Sequence, residues 1–94
     1  MKYTSIANNG IVDFEVGKIH IDYSNSNICI ELKRRNLTPA VLDLKDFIEL
    51  TITKTEPWGS GIYVASSEIR HKENKVIVEI ELNSGDILSI VLRN

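Results

Sequence analysis

The chain has 94 residues, a length that predicts a single domain over 1–94 with one hydrophobic core. Its hydrophobic share of 43% argues against disorder, and its longest apolar runs are far shorter than the roughly 20 residues of a membrane-spanning helix. With 11 basic and 13 acidic side chains, the charge balance gives no reason to expect nucleic acid or a membrane as a partner.

Cysteine usage and the N-terminus both indicate the cytoplasm. The single cysteine, Cys29, cannot form an internal disulfide, and residues 1–10 lack the apolar segment of a secretory signal. The sequence contains no Walker loop, no G-x-G-x-x-G, no G-x-S-x-G and no paired C-x-x-C motif. We therefore expect a cytoplasmic protein that is not an enzyme and that uses no cofactor.

The first predicted elements are two strands, over 11–16 and 19–23, in which apolar and polar residues alternate. Only residues 17–18 separate them, and a glycine at the first of two central positions suits a type II′ hairpin turn. This turn would pair Val16 with Ile19 and keep the apolar side chains of both strands on one face.

A third predicted strand, over 28–32, follows the polar turn cluster 24–27. Pairing Tyr23 with Ile28 across that four-residue loop again matches the apolar faces. Residues 11–32 are therefore predicted to form a three-stranded antiparallel meander.

The segment 39–46 fits two structures. Thr38 and Pro39 suit the start of a short helix, whereas the alternation of residues 42–45 suits a strand, which we favour. The β-branched residues of 48–55 predict another strand.

The stretch 56–63, with the sequence E-P-W-G-S-G-I-Y, breaks the pattern most sharply and contains the single tryptophan, Trp58. We expect it to cross between two layers, with Trp58 packed between them. The alternative is that Trp58 is exposed and anchors a partner, because tryptophan is common in interface hot spots. A strand over 62–70 should follow, and 70–75 should be a charged turn.

The C-terminal part predicts a hairpin. The apolar residues that alternate in 76–82 and in 88–92 all have even numbers, so a matched antiparallel pair needs a loop of odd length. Residues 83–85 supply such a loop, with Gly85 in a left-handed conformation. The fold class is therefore all-β or mainly β, an antiparallel sandwich or half-open barrel of 7–9 short strands, with a short helix near 39–46 as the open alternative.

The register of the meander predicts a cluster of charge on its polar face. Glu15 would lie opposite His20, Asp13 opposite Asp22, and His20 opposite Glu31, so that a protonated imidazole would relieve the repulsion between the two glutamates. Together with Trp58, these five residues are the candidate partner-binding positions.

This cluster has three interpretations. It is a solvated sheet face, a docking surface for a cationic partner, or a metal site, although its spacing matches no recognised metal-binding loop. Cys29 would lie opposite Asp22 without a basic neighbour, which argues against a nucleophile. The basic clusters 33–35 and 70–72 are short and are better explained as solvated strand ends than as phosphate contacts.

The sequences W-G-S-G-I-Y-V (58–64) and L-N-S-G-D (82–86), the latter before a terminal strand, carry a family resemblance. In size and pattern the whole chain resembles the small β-rich immunity proteins that bacteria make against contact-dependent growth-inhibition and other polymorphic toxins. Those proteins share no signature, so no functional residue is carried over. The resemblance implies a protein that binds a cognate toxin domain, often a basic nuclease, and blocks its active site. The alternatives are a small-ligand-binding β-barrel or another protein-interaction module.

Overall fold

The structure, a computed structural model, describes residues 10–34, 38–54 and 63–93 and contains seven strands. They are β1 (Glu15–Asp22), β2 (Asn27–Lys33), β3 (Ala40–Lys45), β4 (Phe47–Ile52), β5 (Val64–Lys72), β6 (Lys75–Leu82) and β7 (Ile87–Arg93). All pairings are antiparallel, in a three-stranded sheet of order β1-β2-β3 and a four-stranded sheet of order β4-β7-β6-β5.

The predicted fold class is confirmed, and the strand β3 replaces the alternative of a helix near 39–46. Its alternation of buried and exposed side chains matches the period of two that the sequence shows there. Every regular element in the described ranges is a strand, and no helix there has the length and apolar character to cross a membrane.

The core lies between the two sheets and is built from the inward side chains of their central strands. In β2, β6 and β7 the even-numbered apolar residues point inward, and all of them are buried except the half-buried Leu82, as the alternation predicts. The most enclosed of them, at 0–1% exposure, are Ile28, Ile30, Leu32, Val78, Ile80, Ile90 and Leu92. Phe14, Val16, Ile19, Leu50 and Ile69 pack around this cluster from the edges.

The predicted hairpin at 17–18 is wrong, because β1 runs through these residues as one strand. A register shift between Val16 and Ile19 absorbs Gly17 and Lys18, so that Val16 lies opposite Leu32 and Ile19 opposite Ile30. A bulge of this kind keeps the apolar side chains on the inner face without reversing the chain. The alternation was therefore read correctly, but the turn was not.

The β1–β2 pairing is also shifted by two residues from the predicted one. Ile21, not Tyr23, lies opposite Ile28. Tyr23 instead begins the turn between the strands, where the Ser26 amide donates to its carbonyl at 3.2 Å, and its side chain is 84% exposed. A shift of two preserves the inner face but changes every partner on the outer face.

The chain passes from one sheet to the other at a single residue, Asp46, between β3 and β4. Asp46 has a φ of 60°, a left-handed conformation that aspartate tolerates better than most residues. The amide of Arg93 donates to the Asp46 carbonyl at 2.8 Å, and the amide of Phe47 donates to Ser26 at 3.1 Å. These bonds hold the corner against both sheets.

The second link between the sheets lies at the opposite corner, where Glu15 and Tyr63 form an isolated antiparallel bridge. The Asp13 amide donates to the Val64 carbonyl, and the Val64 amide donates to the Phe14 carbonyl, both at 2.9 Å. Among the described residues the sheets are thus joined at two corners and open elsewhere, the arrangement of a half-open barrel.

The stretch 56–63, which is predicted to cross between layers, lies outside the described residues except for Tyr63. The strands on either side of it, β4 and β5, are the two edges of the same four-stranded sheet. Trp58 lies outside the described residues.

The C-terminal hairpin is confirmed in register and turn. Ile80 lies opposite Leu88 and Val78 opposite Ile90. The loop 83–85 closes with a 2.8 Å bond from the Leu82 amide to the Asp86 carbonyl, and Gly85 has a φ of 91°. The preceding strand runs over Val64–Lys72 and the charged turn narrows to residues 73–74.

Candidate protein-binding surface

The outer face of the sheet β1-β2-β3 carries most of the predicted site residues, but in a different arrangement. Glu15 lies opposite Lys33, not His20, and Asp22 lies opposite Asn27, not Cys29. The face therefore alternates carboxylates with amines and is not uniformly acidic. Its charged side chains are Glu15, His20, Asp22, Glu31, Lys33, Asp43 and Lys45.

His20 and Glu31 do meet, although as diagonal neighbours. His20 lies opposite Cys29 on β2, and its Nε2 donates to Glu31 Oε2 at 2.7 Å. This hydrogen bond is the main reason that the pKa of Glu31 lies below its usual value of 4.5, with Lys18 and Lys33 adding a smaller attraction. Glu31 is thus held ionised on the surface.

Asp22 is fixed by the turn that follows it. Its carboxylate accepts a 2.8 Å bond from the side-chain amide of Asn25 and a 3.3 Å bond from the Ser24 hydroxyl. The Asn25 bond is the largest cause of a lowered Asp22 pKa. Short polar side chains in the turn therefore orient this carboxylate.

Asp43, on β3, is held in the same way from β2. Its Oδ1 accepts a 3.0 Å bond from the Asn27 side chain and a 3.5 Å contact from the Cys29 thiol. Partial burial raises the pKa of the Cys29 thiol, and Asp43 raises it further. Cys29 is consequently a weak hydrogen-bond donor and not a thiolate nucleophile.

The fixed carboxylates surround an open recess at the turn end of this sheet, which we call the turn-end recess. It encloses about 340 Å³ and is lined by Asp22, Asn25, Asn27, Asp43, Lys45 and Asp46. Tyr23 directly follows Asp22 in the chain and is 84% exposed. Val41, on the same outer face as Asp43, is 60% exposed. Acidic and apolar groups are therefore presented together.

Asp13 and Glu15 lie at the opposite end of β1. They line a second recess of about 520 Å³ with Lys33, Arg34 and Tyr63, and the Arg34 guanidinium lies 5.6 Å from the Phe14 ring. Asp13 has a φ of 73° and precedes the strand, so it does not face Asp22. The predicted pairing of these two aspartates is wrong.

Sequence reasoning missed Tyr23 and Asp43. Tyr23 was assigned to the apolar face because it continues the alternation of Ile19 and Ile21. The sequence around Asp43 fits both a helix and a strand, so it predicts no register for β3 and no cross-strand partner for Asp43. The polar cluster 24–27 after Tyr23 was the signal that the strand had already ended.

The chemistry of this surface is that of noncovalent binding by charge and by an exposed aromatic ring. Within the ranges that the structure describes, no group of three or more His, Cys, Asp or Glu side chains is arranged to hold a metal ion. A scan against protein-family models and searches of curated proteins and of solved structures found no match to this chain.

Proposed function

We propose that this chain is an immunity-type protein of the bacterial cytoplasm, which binds a cationic cognate toxin domain, such as a nuclease, and covers its active site. The observation that carries the proposal is the turn-end recess, where hydrogen bonds orient Asp22 and Asp43, together with the exposed Tyr23 that follows Asp22 in the chain.

Preorganised carboxylates are suited to a cationic partner. A lysine or arginine entering the turn-end recess meets oxygens that are already held by Asn25 and Asn27, so little conformational entropy is lost on binding. Nucleases bind phosphates through lysine and arginine, which makes a fixed carboxylate array complementary to their substrate path. Charge of this kind also accelerates encounter at low salt.

Tyr23 supplies the apolar anchor that charge alone does not provide. Interface hot spots are enriched in tyrosine, tryptophan and arginine and are surrounded by polar groups that exclude water. Tyr23, which is 84% exposed and next in the chain to the recess carboxylate Asp22, is a residue of this type. We therefore centre the binding site on Tyr23, Asp22 and Asp43, with Glu31 and His20 at its margin.

The alternative of a small-ligand-binding barrel has less support. Such a site needs an apolar cavity, and between the described strands the interior is filled by side chains such as Ile30, Ile80 and Ile90, each at 0–1% exposure. The turn-end recess is open and lined by charged and amide groups. Lipophilic ligands should therefore leave the thermal unfolding midpoint unchanged.

The direct test asks whether a toxin-like C-terminal domain is encoded directly upstream of the gene for this chain, and measures binding to that domain by isothermal titration calorimetry. The variant Asp22→Lys/Asp43→Lys should weaken binding by about a hundredfold and Tyr23→Ala by at least about thirtyfold, as for hot-spot residues. The matched control is Glu68→Lys/Glu81→Lys, which makes the same change of charge on the other sheet.

Protection of toxin-expressing cells should follow the same order. Wild type and the control should rescue growth, and the Asp22→Lys/Asp43→Lys variant should not. Unaltered affinity in a folded Asp22→Lys/Asp43→Lys variant would remove this surface from the docking role. Failure of the wild-type chain to bind would overturn the function itself.

A further inference from the structure

The outer face of the sheet β4-β7-β6-β5 is divided by charge along the strand direction. At one end, Lys72, Lys75 and Arg93 lie side by side in one cross-strand row. The other end carries three carboxylates. Glu68 is on β5, and Glu79 and Glu81 lie two residues apart on the neighbouring β6. We call this surface the dipolar face.

The band between the two ends is one cross-strand row, with Val91 and Ile77 on the central strands and the charged Glu49 and Arg70 on the edge strands. Ile77 and Val91 lie opposite each other in the row next to the cations and are partly buried by their neighbours. Ile87 at the acidic end is 39% exposed, and Ile48 on β4 is 45% exposed. A recess of about 420 Å³, lined by Arg70, His71, Lys72 and Ile77, opens at the cationic end.

Like charges face each other within both ends. Glu68 lies directly opposite Glu79, and Lys72 lies directly opposite Lys75. Such cross-strand pairs are unfavourable in an isolated sheet. Arg70 donates to Glu79 and offsets part of the repulsion at the acidic end. Further charges of opposite sign, brought by a partner, would relieve both ends at once.

We propose that the dipolar face binds a second copy of this chain in a two-fold symmetric dimer with antiparallel strands. In that arrangement the cationic end of each copy covers the acidic end of the other, so one complementary contact is made twice. The band around Ile77 and Val91 then lies at the centre of the interface, away from water.

The size and charge of the molecule permit a weak dimer. Four strands of 6 to 9 residues span about 20 by 25 Å, so full overlap buries roughly 1,000 Å² in total, the lower limit for a specific interface. A formal net charge of −2 leaves little overall repulsion between copies. We expect a dimer that forms at micromolar or higher concentration and weakens with salt.

The dipolar face and the turn-end recess lie on opposite sides of the core, since they are the outer surfaces of different sheets. Dimerisation therefore leaves Tyr23, Asp22 and Asp43 accessible. The proposal goes beyond the proposed function, and each can fail without the other.

Sedimentation velocity over a range of concentrations tests the proposal. The full chain should move from the 10.6 kDa of one copy toward twice that mass as concentration rises. Lys72→Glu/Lys75→Glu, which makes both ends acidic, should weaken association at least about tenfold. Adding Glu68→Lys/Glu81→Lys to that variant reverses two of the three charges at each end and should restore part of the association. The matched control is Lys33→Glu/Lys45→Glu, which makes the same change of charge on exposed residues of the other sheet.

Each outcome decides. Three results together would support the antiparallel dimer. The sedimenting mass rises with concentration, the Lys72→Glu/Lys75→Glu variant loses this association, and the variant with all four substitutions regains part of it. A wild-type chain that stays monomeric at millimolar concentration would overturn it. A dimer that forms equally well in the Lys72→Glu/Lys75→Glu variant would also overturn it. The same holds if the variant with all four substitutions is folded by circular dichroism but regains no association.

Discussion

Replacing Gly85 by alanine tests the left-handed turn of the C-terminal hairpin. Gly85 has a φ of 91°, and no heavy atom lies within 4 Å of the position that a Cβ would take. An alanine there meets no obstacle, so its cost comes from the backbone alone. For an L-residue a left-handed conformation costs about 1–2 kcal/mol. Alanine also restricts the unfolded chain, which returns about 0.4–1 kcal/mol.

Gly17 provides the matched control. Its φ lies outside the left-handed range, and a Cβ there would make ordinary contacts, 3.4 Å from the Glu31 carbonyl oxygen and 3.6 Å from the Glu31 Cβ. The effect of alanine on the unfolded chain is common to both variants and cancels in the comparison. Gly17→Ala should therefore be more stable than Gly85→Ala by about 1–2 kcal/mol.

The assay is thermal and urea unfolding of both variants beside the wild type. A difference of this size separates the two unfolding midpoints by roughly 4–16 °C in a domain of this length. Gly85→Asn should recover part of the loss, because asparagine tolerates left-handed backbone better than alanine. If Gly85→Ala and Gly17→Ala unfold at the same midpoint, the inferred turn is refuted.

Two further predictions concern the core and the surface carboxylates. Ile90→Ala removes a side chain at 0% exposure from a central strand and should cost about 2–5 kcal/mol by urea unfolding, whereas Ile52→Ala, at 47% exposure on an edge strand, should cost clearly less; equal losses would contradict the packing. The Glu31 pKa is lowered in the folded state, so the stability it contributes is complete above its usual value of 4.5 and is lost as pH falls through the lower folded value. In His20→Ala the Glu31 carboxyl, followed by NMR titration, should ionise closer to 4.5, and an unchanged titration would refute the role of the His20 bond.

Much of the fold could be predicted because alternation is a property of single strands. The even-numbered residues of β2, β6 and β7 are inward in the structure, as they are in the pattern. The hairpin after β6 also followed from the sequence, since two even-numbered sets need an odd loop and Gly85 supplies its left-handed position. Both inferences depend only on neighbours along the chain.

The interpretation of Gly17 and Lys18 could not be made locally. Two residues between two alternating segments are compatible with a two-residue hairpin turn. They are equally compatible with a β-bulge inside one longer strand. The choice depends on β2, which offers β1 a partner from Glu15 to Asp22, so pairing along the whole strand is available without a reversal. The pattern within 11–23 contains no information about that partner.

The corner at Asp46 was hidden for a related reason. A single left-handed aspartate moves the chain between sheets, although the surrounding sequence, L-K-D-F-I, has neither glycine nor proline to mark a break. The bonds that hold it come from Arg93 and Ser26, far away in the chain. Only the assembled sheets show that the segment changes layer.

The same reasoning explains why the fold was easier to predict than the binding surface. Both inner faces are committed to the core, so binding falls to the outer faces, where a residue's neighbours are set by register. A register error of two leaves the inner face unchanged, because strands repeat every two residues, yet it gives every outer side chain a new partner. His20 still contacts Glu31, because a diagonal neighbour can make a 2.7 Å hydrogen bond, whereas Glu15 lies opposite Lys33 and not opposite His20. In a small antiparallel domain, errors in turn geometry therefore appear first in the predicted function and only later in the predicted fold.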